Sequence, residues 1–496
     1  MVSPEQANDI KRERQYMARK RLQLVAKTVL GITIAASGVL TAAPNVLANE
    51  ETPVVVQSIQ YREGDHVLRL WKDYLEGVVH PLETIQPASV KGGDVGEGDE
   101  DKFKDLQFLK SLVGDSRIVM LGESTHGASE YNLSKVRLIQ FLHEEMGFDV
   151  IAFESGLDAA FSSYVQSDSL SPLELMRSSV YPVWHTQEAL PLFEYIADRR
   201  NSENPLILTG FDNQTLYSYR DFIQKWIGPV DSEMAGKWNQ LEDKIWSWYA
   251  GDNNDLEQFY EEKPALLQGL QEISAFLQAN GEKLKQAYPD DPELLNVTKR
   301  VLKNRIELVN TVLEASIKQR VTLASGEMPE FRLEEDTMYL RDRAMADNLA
   351  WLAEEVYPDK KIIVWGHNFH IRKSNTTVGN TYNTPNMTEL LPEKLREESY
   401  VIGLYAHSGV SGDNMGEDSP FIPVQPGSVE YLLNETGHPY LFADLKNEQR
   451  RVWNAWMFTP RTGLYWGMFE ELFIPREQYD GILFFRTVQT PQYIKK

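Results

Sequence analysis

Two carboxylates and three histidines stand at the ends of short apolar runs, where groups that exchange protons can be brought together. Glu123 and His126 fall in Gly122-Glu123-Ser124-Thr125-His126-Gly127, Glu154 follows the run 150–153, and His367 and His370 fall in Gly366-His367-Asn368-Phe369-His370. A histidine beside a carboxylate is held in one tautomer and becomes a better proton acceptor. His126 with Glu123 or Glu154 therefore suits the activation of water by general-base catalysis. Carboxylates buried near one another also push apart in pKa, leaving one poised to give or take a proton. The chemistry that follows is acid–base hydrolysis without a covalent intermediate. Two competing readings use the same residues. Ser124 would be a nucleophile if the loop were a Gly-x-Ser-x-Gly elbow, but His126 occupies the place of the second glycine, so Ser124 reads better as a hydrogen-bonding loop residue. His367-x-x-His370 with Glu123, His126 and Glu154 supplies zinc-ligand types, yet His-Glu-x-x-His is absent and no spacing is diagnostic. The expected reaction uses no metal and no cofactor.

For these groups to meet, the runs that carry them must be neighbouring strands. Residues 117–121, 150–153, 206–209, 362–365, 400–405, 440–444 and 482–486 are β-rich and apolar, and helical stretches separate them. Such alternation predicts an α/β fold, a mostly parallel central sheet flanked by helices. In a parallel sheet the carboxyl ends of strands share one edge, where ligands bind. The first four runs lead into Glu123/His126, Glu154, Asp212 and His367/His370, so they are expected to converge on one crevice. Gly122 and Gly127 are expected to let the loop turn tightly. A helix starting near Ser129 is expected to aim its amino end at the crevice and favour an oxyanion there. Residues 221–355 carry almost no strand signal and show apolar residues at helical spacing, which predicts an inserted helical lobe.

Composition limits the partners. The 496 residues are 42% hydrophobic and 25% charged with a formal net charge of −23, a globular composition whose field repels nucleic acid. Zero cysteines exclude disulfides, thiolate nucleophiles and cysteine-ligated metals. At the amino terminus Lys11, Arg12, Arg14, Arg19, Lys20 and Arg21 precede an apolar run over 29–43 and then Val46-Leu47-Ala48. This reads as a secretory signal peptide over 1–48, cut between Ala48 and Asn49, and predicts a secreted or cell-surface protein with no other membrane association. Residues 49–102 would form a tether and a helix ahead of the main domain at 103–490.

The strings VMLGESTHGASEYNLSKVRLIQFL, VIAFESG, LTGFDNQ, RDRAMADNLAWL and IIVWGHNFHIRKS, in this order, resemble the erythromycin esterase family. The resemblance implies hydrolysis of a small-molecule ester, the lactone of a macrolide, by histidine-activated water. It places the general base on His126, its carboxylates on Glu123 and Glu154 and a second histidine on His367, with His370 beside it as a substrate contact. A basic residue on the following helix belongs to the pattern and falls on Lys135, with Arg137 close behind. Arg341 and Arg343 match an arginine segment able to reach the crevice, with Asp342 available to pair them, and Asp212 lies at the same edge. One departure is His185 in Trp184-His185-Thr186, where the family usually has arginine. Two further readings stay open: a metal-dependent hydrolase of another ester or peptide, and a non-catalytic protein holding haem or another ligand through His367 or His370.

Overall fold

The computed structural model describes residues 64–89, 102–214, 216, 218–251, 253–327, 330, 332–379 and 384–495. The expected export signal and the start of the tether lie outside these residues. Eleven strands are present among them: β1 (His80–Pro81), β2 (Ile118–Leu121), β3 (Phe148–Gly156), β4 (Ile207–Asp212), β5 (Lys361–Trp365), β6 (Ser399–Gly412), β7 (Asp418–Pro420), β8 (Tyr440–Asp444), β9 (Arg461–Tyr465), β10 (Phe469–Phe473) and β11 (Gly481–Val488). The main sheet runs β1-β8-β11-β6-β2-β5-β3-β4, with β7 on the end of β6, while β9 and β10 form a separate ribbon.

The six strands from β11 to β4 are parallel to their neighbours. β8 and β1 extend the sheet antiparallel at one side. The parallel strands are apolar on both faces because both faces are covered. Ile118 and Met120 enter one core and Val119 and Leu121 the other, as a period of two requires. One core takes in the helix Ser129–Met146, and the other takes in Leu157–Val165 and the helices that follow β4. The α/β architecture with a mostly parallel, helix-flanked sheet is thus the one the strand pattern implies.

Between β4 and β5 the described residues hold helices and no strand, among them Ser218–Trp226, Ser232–Ala250, Leu256–Ala287, Leu294–Glu307, Leu313–Ala324 and Thr337–Trp351. A π turn, Leu308–Val312, joins two of these into one long rod. The helices are fastened to the sheet by a buried ion cluster. Arg305 donates to Glu242 at 3.0 Å, to the Asn213 carbonyl at 3.0 Å and to Asp158 just beyond β3. Among the described residues no helix is long and apolar enough to cross a membrane.

Candidate active site

The loop after β2 is stitched into the sheet edge before it presents any side chain. Ser124 N–H donates to the Leu404 carbonyl at 3.2 Å, Asn368 N–H to the Glu123 carbonyl at 2.8 Å, and Trp466 N–H to the Ser124 carbonyl at 2.8 Å. Gly127 bridges Gly412 at the end of β6, with a 2.7 Å hydrogen bond from Gly412 N–H to the Gly127 carbonyl. The two glycines serve close approach and not the tight turn expected of them. Neither is among the described glycines with positive φ. A Cβ on Gly127 would stand 2.0 Å from the Gly412 carbonyl oxygen, and one on Gly122 2.0 Å from Asn368 Oδ1.

This stitching fixes Glu123, which is completely buried. Its Oε1 lies 2.6 Å from His126 Nδ1 and accepts from Trp184 Nε1 at 3.2 Å, while Oε2 accepts from Lys135 Nζ at 2.7 Å. A carboxylate only accepts, so His126 carries its proton on Nδ1 and keeps the Nε2 lone pair free. Lys135 is also fully buried, and burial outweighs the pull of Glu123 to bring its pKa down to about 8.

Glu154 lies where the β3–β4 register shifts, between Phe153 and Gly156, a local bulge of the kind that re-aims a side chain beside an active site. Its Oε2 accepts from the His367 backbone N–H at 2.7 Å, and its Oε1 accepts from Arg341 at 3.0 Å and lies 3.2 Å from His370 Nε2. Burial alone would raise its pKa, but His370 and Arg341 hold it well below the ordinary carboxylate value. His370 Nδ1 pairs with Asp342 Oδ1 at 2.8 Å. Against the effect of burial, Asp342 and Glu154 lift its pKa to about 9, so it is a cation near neutral pH. Arg341 also donates to Asp212 at 2.6 Å.

His367 is the complement of His126. Its Nδ1 accepts from the Phe369 N–H at 3.1 Å, so its proton sits on Nε2, which is buried and has no protein partner. Burial holds its pKa well below the usual imidazole value, so the ring is neutral. The two ring centroids are 5.0 Å apart, and Trp466 stacks on His367.

His126, Glu154, Arg341, His367 and His370 all line one open crevice, whose enclosed part is about 40 Å³. Tyr181, Trp184, Phe369, Tyr465 and Trp466 supply its aromatic walls. Glu123 and Asp212 stand behind that wall as partners of the lining residues His126 and Arg341, and Lys135 stands behind Glu123. Arg137 points elsewhere, to Asp105 at 2.6 Å, and Arg343 pairs with Glu307 at 2.7 Å. Asp342 holds His370 and not the arginines. The Ser124 hydroxyl is spent on Tyr131 at 2.9 Å, and His185 contacts the Val180 carbonyl at 2.9 Å; neither lines the crevice. The helix Ser129–Met146 does not supply an oxyanion site. Its first N–H is taken by the Gln489 carbonyl at 2.8 Å, and no residue of its first turn is among those lining the crevice. Among the described residues no three His, Asp or Glu side chains are disposed as a metal-holding group.

Sequence reasoning passed over Trp184 as a donor to Glu123 and Asp342 as the partner of His370. Trp466, with a φ of 56° that is rare for a bulky residue, sits against both histidines, a placement no sequence pattern signals.

A family model described as Erythromycin esterase matches residues 143–488, starting beyond the His126 loop. A Bacillus subtilis (strain 168) protein named "Putative hydrolase YbfO" is 38% identical over 435 residues, 86% of this chain and 93% of its own. An Escherichia coli erythromycin esterase type II is 21% identical over 331 residues, 62% of this chain and 74% of its own. The solved structure of an erythromycin esterase mutant, EreC in its open conformation, superposes with a TM-score of 0.55 at 19% identity, over 79% of this chain and 96% of that one. The family model spans well over half of the sequence, and the fold matches that of the solved esterase: the chain belongs to the erythromycin esterase family.

Proposed function

We propose that the protein opens carboxylic esters, the lactone of macrolides among them, with water activated by His126 and no covalent acyl-enzyme. Family membership supports a hydrolase; the mechanism and the substrate are our reading of the crevice. The observation that carries it is the opposed pair of imidazoles, one offering a lone pair and the other an unspent N–H. His126 Nε2 takes a proton from water as the oxygen attacks the ester carbonyl. Glu123 stabilises the imidazolium that forms, and Lys135 and Trp184 keep that carboxylate in place. The oxygen that becomes negative accepts from His367 Nε2–H, a donor that must be aimed at developing charge to lower the barrier. Collapse breaks the bond to the leaving oxygen, which takes the proton from His126. The products are one carboxylic acid and one alcohol, joined as a hydroxy acid when the substrate is a lactone.

The test is incubation of residues 49–496 with macrolides of different ring size and with simple esters, in ¹⁸O-labelled water, with and without chelator. Gain of one labelled water by a macrolide, unaffected by chelator, is the expected result. Labelled cleavage of simple esters alone would retain the chemistry and remove the macrolide. A burst of alcohol from a simple ester ahead of its acid, or acyl mass gained by the protein itself, would reveal an acyl-enzyme and overturn the mechanism.

A further inference from the structure

Beyond the crevice wall formed by Met338 and Arg341 lies a second, narrow space of about 10 Å³, room for one water-sized group, that the chemistry above leaves unused. Met338 and Arg341 line both spaces, so these two side chains belong to the wall between them. Gln214, just past β4, forms part of the second wall; Tyr249, Val312 and Ser316, from the helices between β4 and β5, form another part. Met338 is unbranched with three rotatable bonds, the kind of side chain that can swing aside to join the two spaces.

Two independent features point to a ligand there. Gln214 is 5% exposed, and its amide nitrogen donates to the Tyr249 hydroxyl at 2.6 Å while its Oε1 is buried without a partner. Turning the amide over exchanges the two atoms but still leaves one of them unpaired. Burial pushes the Tyr249 pKa upward, so the phenol keeps its proton and has it to give. A buried polar atom without a partner costs free energy that a hydroxyl seated beside it would return. The second feature is backbone. The π turn Leu308–Val312 delivers Val312 to this wall, and single π turns inside α-helices are found frequently at functional sites.

We propose that the two spaces are one substrate site: the scissile ester lies beside His126 and His367, and a single hydroxyl of the same substrate, borne by a sugar or polyol substituent, sits on Gln214 and Tyr249. The inference rests on the reading of the crevice as an ester-hydrolysing site, and the experiment separates the two. A butyrylated methyl glucoside and ethyl butyrate share the acyl group and differ in hydroxylation. Their kcat/KM ratio is measured for the parent and for Tyr249→Phe, Gln214→Leu and Met338→Trp, each checked for folding by thermal melting. Their affinities are measured by calorimetry on His126→Ala, alone and combined with Tyr249→Phe. The expected result is a preference of about tenfold or more for the glucoside, carried mainly by KM, that the three variants reduce toward unity. Turnover of both esters without that preference, or a preference untouched by the variants, overturns the second space and leaves the hydrolytic reading standing. No turnover, but tighter glucoside binding that Tyr249→Phe abolishes, keeps the second space and removes the hydrolytic reading. Equal or absent binding of the two overturns it whatever the turnover, since the space would then hold water alone.

Discussion

Each imidazole at the site is set by the partner on its far nitrogen. Glu123 makes His126 a base, the Phe369 N–H makes His367 a neutral donor, and Asp342 makes His370 a cation. Replacing Glu123 with Gln removes the charge that stabilises an imidazolium at His126 and leaves Lys135 without its counter-ion. The expected loss is about 10²–10⁴ in kcat, of the size that follows loss of a general base, with a smaller change in KM. Steady-state kinetics on any accepted ester reads it; a loss of only a few-fold would mean that Glu123 does not tune the base. Asp342 yields a prediction about pH. His370 has a folded pKa near 9, raised from 6.5, so the stability it contributes is full below about 6.5 and is lost as pH rises through 9. Asp342→Asn removes one of the two carboxylates responsible. Urea unfolding of parent and variant is therefore expected to differ more at about pH 6 than at about pH 10. An equal difference at both would show that Asp342 acts only as a hydrogen-bond acceptor. The histidine and carboxylate types were legible from sequence because they follow strand-like runs. The pairing of His126 with Glu123 was legible too, because the two lie in one loop, whereas the states of His370 and Glu154 were not, because they depend on Asp342 and Arg341 from a helix distant in the chain.

At the scale of elements, the site depends on how loops from different strands touch. The parallel strands were legible since both of their faces are buried and their residues are continuously apolar. The β9–β10 ribbon was not: Arg461–Tyr465 and Phe469–Phe473 carry charged residues, and Arg461 and Glu471 become buried only where the ribbon packs. The bulge at Glu154 was hidden for a related reason, since β3 reads as ending at Phe153 and the shift exists only relative to β4. Gly127 is the sharpest element-scale test. Its contact is with the backbone of Gly412, which cannot move aside as a flexible side chain can. Gly127→Ala is expected to cost about 1–3 kcal/mol of stability, as overpacking does, and to lower kcat more than a surface substitution of equal cost. Unfolding and kinetics on the same preparation check both halves. Unchanged kcat would show that the loop carries His126 without needing its bridge to β6.

Across the whole molecule, the site is divided between the sheet and the helices inserted in it. β2, β3 and β5 bring His126, Glu154 and His367, while Arg341 and Asp342 come from the helix Thr337–Trp351. A crevice built from both requires the two to stay in register, and Arg305 ties them. It reaches from Leu294–Glu307 to Asp158 beyond β3, to the Asn213 carbonyl beyond β4 and to Glu242 in Ser232–Ala250. The cluster is buried, so its contribution is not that of a surface ion pair. Removing one member strands the others without water, whereas removing opposite charges together does not. Arg305→Met is expected to cost about 3–5 kcal/mol, and Arg305→Met combined with Glu242→Leu less than the sum of the two single losses. Asp158 and Asn213 lie a few residues past Glu154 and Asp212, and Arg341 bridges those same two carboxylates. Loosening the tie should therefore displace Arg341 before it unfolds the sheet, and KM should rise at temperatures where the variant is still folded. Urea unfolding of the three variants gives the energies, and kinetics well below the melting temperature gives the displacement. A stability loss of the expected size with KM unchanged would assign Arg305 to folding alone and leave Arg341 held by Glu154 and Asp212 without help from the remote tie.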